Sequence, residues 1–249
     1  MNPSRFQLIT VDLDDTVWPC APVIQAAEIA LLSWLAERAP RLTEMHDQRS
    51  LREHRLALMR SRPEIAHDLG TVRRLSIATL LEEHGHGAED AGALAHEALA
   101  VFMAHRMRVE PYADVGHALR RLAVRHHLIS LTNGNADPEQ TDLRGLFAHR
   151  VNAAGAGAAK PDAAMFQSAL ALAGCTPGQA LHVGDEPYLD VQAARCLGME
   201  AVWVNRYDRA WPDDLPPPAL TVTDLNQLAD WPDPQPAQGP GRAGDAGGV

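Results

Sequence analysis

The chain has 249 residues, 46% of them hydrophobic, with 32 acidic against 22 basic side chains for a formal net charge of −10. That apolar share supports a sizeable core and excludes a disordered protein, while the acidic balance excludes the basic stripe that a nucleic-acid binder uses to neutralise phosphates. Lys160 is the single lysine among the 22 basic residues, so any Schiff-base chemistry would have to use it.

In chain order, the first element is a β-rich apolar run, Phe6–Leu13 (FQLITVDL), that ends abruptly in carboxylates. From about Pro19 to Arg108 the pattern is helical throughout: Ile24, Ala27, Leu31 and Leu35 keep helix spacing, as do Val72, Leu75 and Thr79, then Leu94, Ala98 and Val101. Helix Val115–Arg125 follows, then strand His127–Thr132 running into the turn Asn133-Gly134-Asn135, and a short strand at Arg150–Ala153. Helix Ala163–Ala173, strand Ala180–Val183, helix Leu189–Leu197 and strands Ala201–Asn205 and Leu220–Val222 complete the pattern. Strand and helix alternate over the second half, which predicts right-handed βαβ units and a Rossmann-like, doubly wound parallel α/β sheet. The domain reading is a catalytic core of residues 1–17 and 108–231 with a helical insertion at 18–107. Nine of the 18 residues from Pro232 onward are Pro or Gly, so the tail, 232–249, is expected to be disordered.

Cys20, Cys175 and Cys196 form no CxxC and leave an odd number, which fits a reducing compartment better than a disulfide framework. No signal-peptide pattern and no uninterrupted run of 18 apolar residues is found. A cytoplasmic protein without a membrane segment is therefore expected.

Four polar clusters fall at the carboxyl ends of predicted strands, where open α/β sheets place ligands. In Asp12-Leu13-Asp14-Asp15-Thr16, Asp12 and Asp14 are two apart and would share one face of an ideal strand. Three carboxylates in four positions repel unless a cation or proton intervenes, and a hard divalent ion such as Mg²⁺ suits them. Thr132-Asn133-Gly134 offers a hydroxyl and main-chain amides, although an ordinary turn reads the same way. Lys160-Pro161-Asp162 could be plain helix entry. Gly184-Asp185 with Asp190 repeats the carboxylate pair beyond an apolar strand. Each alone is weak; all four in this order carry the argument.

Asp12–Thr16, Thr132, Lys160 and Asp185–Asp190 resemble the four motifs of the haloacid dehalogenase (HAD) superfamily, over essentially residues 6–230. The DxDDT form is similar to that of its phosphatases, and the helical insertion resembles their C1-type cap. TNGNADPE (Thr132–Glu139), LHVGDE (Leu181–Glu186) and the stretch HDLGTVRRLSIATLL look like bacterial flavin-pathway HAD phosphatases. Those act on 5-amino-6-(5-phospho-D-ribitylamino)uracil or flavin mononucleotide.

The resemblance implies that Asp12 attacks phosphorus to form an aspartyl-phosphate, and that Asp14 protonates the leaving alkoxide and then deprotonates water. It gives Mg²⁺ to Asp12, the Asp14 main-chain carbonyl and Asp185. Thr132, the Asn133 amide and Gly134 go to the phosphoryl group, Lys160 to charge neutralisation, and Thr16 and Asp190 to supporting roles. Crowding by carboxylates is expected around Asp14. The substrate is a small-molecule phosphate ester, and a monomer or weak homodimer is expected.

A dehalogenase of the same fold would leave Asp14 without work, and a phosphonatase would need a lysine in the insertion, where residues 18–107 have none. A phosphomutase shares the motifs, and a catalytically silent binding module would be expected to have lost a carboxylate. The pairs His84/His86 and His126/His127 lack metal-ligand spacing. The arginines of the insertion, Arg49, Arg52, Arg55, Arg60, Arg62, Arg73 and Arg74, read as a solvated face with one or two free to steer an anion. Trp18 reads equally as a stacking platform for a flat ring or as core.

Overall fold

A computed structural model of the chain describes residues 5–232; most of the tail expected to be disordered lies outside them. Among the described residues the sheet has six strands: β1 (Leu8–Val11), β2 (His127–Thr132), β3 (His149–Asn152), β4 (Ala180–Gly184), β5 (Glu200–Val204) and β6 (Leu220–Val222). They pair in the order β3-β2-β1-β4-β5-β6, and every pair is parallel. This is the doubly wound α/β sheet that the alternating pattern predicts. β1 is central, with Leu8 opposite His127 on one side and Ala180 on the other. The chain winds outward from β1 through β2 and β3, then restarts at β4 and winds the other way. The carboxyl ends of β1, β2 and β4 thus meet at the topological switch point, where a crevice forms.

Helices cover both faces, which is why β1 (LITV) is buried throughout rather than alternating with polar residues. Ile9 and Val11 face the first apolar layer with α6 (Val115–Ala123) and α10 (Leu225–Asp230), through Val115, Leu119, Leu122, Leu225 and Leu228. Leu8 faces the second, with Ala153 of α7 (Ala153–Ala156), Met165, Phe166 and Leu170 of α8 (Ala163–Ala173) and Ala193 and Ala194 of α9 (Ala193–Cys196).

Between β1 and α6 run five α-helices: α1 (Cys20–Arg38), α2 (Pro40–Met45), α3 (Gln48–Ser61), α4 (Leu69–Glu83) and α5 (Ala88–Arg106). They enclose a third apolar cluster of their own, built on Leu31, Leu35, Ile77, Leu80, Ala95 and Phe102. By length and composition α1 is apolar enough to cross a membrane. Its Ala27, Leu31 and Leu35 instead pack into this cluster, and its Glu28 pairs inside it with Arg55 and Arg73 at 2.8 and 2.9 Å.

Two elements differ from expectation where the strand ends meet. β1 stops at Val11, before the predicted Leu13, because the chain leaves the sheet in a turn: Val17 N donates to Leu13 O at 2.7 Å, and Asp15 takes the left-handed φ of 61° that Asp tolerates. The helix expected at Leu189–Leu197 begins earlier, as a π-helical turn over Pro187–Gln192, before α9. Proline at its first turn leaves no lost amide, and the wide turn carries Asp190, matching the tendency of π-turns to fall at functional sites.

Candidate active site

Asp12 follows β1 directly, and its amide still donates to Val183 O at 2.8 Å. Its Oδ1 accepts from Lys160 Nζ at 2.6 Å. Lys160 donates equally to Asp190 Oδ1 at 2.6 Å and to Leu131 O at 2.9 Å, so its three ammonium protons have three acceptors. Asn133 fixes the lysine from behind: its Oδ1 accepts from Lys160 N at 2.7 Å and its Nδ2 donates to Lys160 O at 3.0 Å. The Asn133 side chain is thus a strut, leaving its main chain as the part that can meet a ligand.

Gly184 is required by close approach. A Cβ there would lie 2.3 Å from Asp190 Cγ, so only glycine lets the Asp190 carboxylate pass over the strand end. Asp190 Oδ2 accepts from Glu186 N at 3.0 Å, and its Oδ1 also meets His182 Nε2 at 3.1 Å. His182 Nδ1 lies 2.8 Å from Thr10 Oγ1. Since a carboxylate only accepts, Nε2 carries the imidazole proton and Nδ1 accepts from the threonine. Thr10, His182, Asp190, Lys160 and Asp12 form one buried hydrogen-bonded chain beneath the pocket.

Burial dominates the electrostatics. It pushes Asp12 well above the usual carboxylate range, reinforced by Asp190 and Asp185 and opposed by Lys160. Burial also pushes on Asp190, but Lys160 and His182 outweigh it and hold this carboxyl below the ordinary value. Asp185 is pushed up to about 7, by burial first and then by Asp190 and Glu186. Burial lowers His182, so it stays neutral. Single ligand oxygens of Asp12, Asp185 and Asp190 lie within 4.8 Å of one another. Three buried carboxylates set against the Lys160 ammonium and the Arg209 guanidinium, which Glu186 shares, still leave excess negative charge on oxygen ligands, which fits a hard divalent cation such as Mg²⁺. Asp14 adds no carboxylate to that cluster.

The carboxylate crowding expected around Asp14 is found around Asp12 instead. β1 ends at Val11, so Asp12 and Asp14 both lie beyond the strand, and both line one cavity. The partners of Asp14 are Arg106 Nη2, 2.6 Å from both carboxylate oxygens, and Trp18 Nε1 at 2.9 Å. Asp12, Asp14, Thr132, Asn133, Gly134, Lys160, Asp185 and Asp190 all line one cavity of about 160 Å³. Thr16 lies behind it, its hydroxyl donating to Asp185 Oδ1 at 3.2 Å. Gly134 N donates to Thr132 Oγ1 at 2.9 Å, which leaves the threonine proton to point elsewhere.

Three neighbours are absent from the sequence reading: Arg106, His182 and Arg209, which donates to Asp185 Oδ2 at 2.9 Å and to Glu186 Oε1 at 2.8 Å. Arg106 has a sequence signal, since it continues the buried spacing of Ala98 and Phe102. Trp18 is fully buried core, not a stacking platform. Of the arginines read as a solvated face, Arg55 and Arg73 turn inward to Glu28, and Arg73 lies over the Phe102 ring at 3.4 Å. His84 and His126 bond main-chain carbonyls at 2.8 and 2.9 Å, and no histidine is among the candidate metal ligands within the described residues.

Residues 6–198 match the haloacid dehalogenase-like hydrolase family. A 5-amino-6-(5-phospho-D-ribitylamino)uracil phosphatase, YigB, of Escherichia coli (strain K12) is 34% identical over 81% of this chain and 84% of its own length. A phosphoserine phosphatase of Thermus thermophilus is 34% identical over 64% of each chain. Among solved structures, one described as a 2-haloacid dehalogenase of Pseudomonas syringae pv. Tomato DC3000 superposes with a TM-score of 0.84, at 38% identity, over 90% of this chain and 96% of the other.

Proposed function

The chain belongs to the haloacid dehalogenase-like hydrolases, and from its site we propose that it is a Mg²⁺-dependent phosphomonoester hydrolase working through an aspartyl-phosphate. The observation that carries this reading is the pair Asp14 and Asp185, in one cavity with Asp12 and Lys160. Displacing halide from carbon needs neither a proton donor nor a metal carboxylate, because halide leaves unaided. Breaking a phosphate ester needs both a proton for the alkoxide and charge neutralisation at phosphorus.

In this mechanism Asp12 attacks phosphorus through Oδ2, since Oδ1 is taken by Lys160. Lys160 balances charge on Asp12 and the phosphoryl oxygens, while Asp190 and Asn133 hold Lys160 in place. Thr132 and the Asn133 main-chain amide receive the phosphoryl group, with Gly134 lining the cavity beside them. Asp14 protonates the departing oxygen and then takes a proton from the water that hydrolyses the intermediate. Mg²⁺ held by Asp12, Asp185 and the Asp14 main-chain carbonyl would supply charge neutralisation of the phosphoryl oxygens.

For the substrate we favour a neutral, hydrogen-bonding leaving group, as in 5-amino-6-(5-phospho-D-ribitylamino)uracil or flavin mononucleotide of riboflavin metabolism. A second cavity of about 190 Å³ adjoins the first at Asn133 and Gly134, and Asp68, Asn135, Asn152, Leu99 and Met103 line it. Backbone and hydroxyl hydrogen bonds from Thr71 outweigh the effect of burial and hold Asp68 below the usual carboxylate range, hence charged. No lysine or arginine lines that cavity among the described residues. A carboxylate-bearing ester without an amine, such as phosphoglycolate, would therefore meet a like charge, with His67 alone beside Asp68 to offset it.

The test is phosphate release from flavin mononucleotide, the pyrimidine precursor, sugar phosphates and phosphoserine, with Mg²⁺ and with chelator, for wild type and Asp12→Asn. Mg²⁺-dependent turnover that Asp12→Asn abolishes is expected. No release from any ester would overturn the hydrolase reading, and equal rates on all would overturn the substrate assignment.

A further inference from the structure

Helix α5 buries Ala91, Ala95, Ala98 and Phe102 at helical spacing, and the next position in that stripe is Arg106. Its side chain is only 1% exposed, and its Nη1 has no hydrogen-bond partner among the described residues. A leucine would fill such a place without the cost of burying a guanidinium. What Arg106 does instead is reach Asp14, with Nη2 2.6 Å from each oxygen.

Asp14 is held from two further sides. Trp18 Nε1, just before α1, donates to Asp14 Oδ1 at 2.9 Å. The loop after β2 closes over the pair at Gly134, where a Cβ would lie 2.5 Å from Asp14 Oδ2 and 3.1 Å from Arg106 Nη2. The carboxylate is thus gripped where the chain enters the five-helix insertion and where it leaves.

We propose that Arg106 is a positioning residue for proton transfer to the leaving group: the last turn of the insertion supplies the group that aims Asp14. The inference rests on the hydrolase reading, in which Asp14 gives its proton to the ester oxygen as the bond from phosphorus to that oxygen breaks and the bond to Asp12 forms. The water that later attacks phosphorus returns a proton to Asp14 as the aspartyl-phosphate opens. Arg106 touches neither substrate nor phosphorus and acts only through the placement of Asp14.

Leaving-group chemistry provides the test. p-Nitrophenolate departs with little need of a proton, whereas the alkoxide of an alkyl phosphate needs one. Wild type, Arg106→Met, Arg106→Lys and Asp14→Asn are compared in kcat on p-nitrophenyl phosphate and on whichever alkyl ester of the panel wild type turns over fastest. Arg106→Met is expected to lose at least ~10-fold more on the alkyl ester than on the aryl ester, in the direction shown by Asp14→Asn. Arg106→Lys, which keeps a charge in the same stripe, is expected to recover part of that difference, and it carries the comparison if the methionine variant does not fold. Equal losses on both esters, or none on either, would overturn the positioning role. Wild type inactive on both would instead overturn the hydrolase reading.

Discussion

Lys160 shows how tightly a single residue is specified. Its ammonium sits among Asp12 Oδ1, Asp190 Oδ1 and Leu131 O, with 4% of the residue exposed. A guanidinium is planar and larger, and cannot present three donors to these acceptors from one point. Lys160→Arg is expected to keep the far-ultraviolet circular dichroism of wild type and to lower kcat at least ~10-fold, about 1.4 kcal/mol of barrier. Asp185 makes a separate prediction. Held up to about 7, it must lose its proton to bind a cation. Asp12, also a proposed ligand and also raised, must ionise too, so Mg²⁺ affinity measured by titration calorimetry should fall at least about tenfold per pH unit below 7. Affinity flat from about pH 5.5 to 8 would contradict that. The residues of this site that were legible in sequence are those whose neighbours along the chain betray them: the DLDDT run, the lone lysine, the GDE turn. Arg106, 92 positions from Asp14, and Arg209, 24 from Asp185, gain their meaning only when the fold brings them there.

At the scale of elements, apolar runs bounded by turns carried most of the information. α8, β2 and β6 have the expected bounds, β4 runs one residue further, and β5 is shifted by one residue toward the N-terminus. The errors fall where side-chain chemistry overrides periodicity, at the turn after Val11 and at the π-turn bearing Asp190. Asp114 joins three elements with one carboxylate: it precedes α6, accepts from Arg206 beyond β5 at 3.0 and 2.9 Å, and accepts from Leu225 N of α10 at 2.7 Å. Burial would raise its pKa, but Arg206 and Leu225 N outweigh this and lower it. The resulting stability is present above the ordinary value of 3.8 and is lost as pH falls through the lower folded value. Asp114→Asn should cost about 2 kcal/mol in urea unfolding near pH 7. Its deficit should shrink as pH falls below 3.8 and the wild-type carboxylate protonates.

For the molecule as a whole, the doubly wound sheet brings three strand ends to one crevice, and the helices between β1 and β2 enclose a core of their own. That general plan was readable from where strand signals stop and resume. The grip of both ends of the helical insertion on Asp14 was not, because no local pattern encodes it. The rarity of lysine has one more consequence. The chain offers a single ε-amine, and the fold closes it off beneath the crevice. Amine-acylating reagents should therefore leave Lys160 of the native protein unmarked. The rate at which mass spectrometry finds Lys160 acylated becomes a clock for opening of the structure around it. With Mg²⁺ or a slowly hydrolysed phosphate ester present, that clock should slow, which makes the residue an intrinsic reporter of ligand-linked stability without any added label.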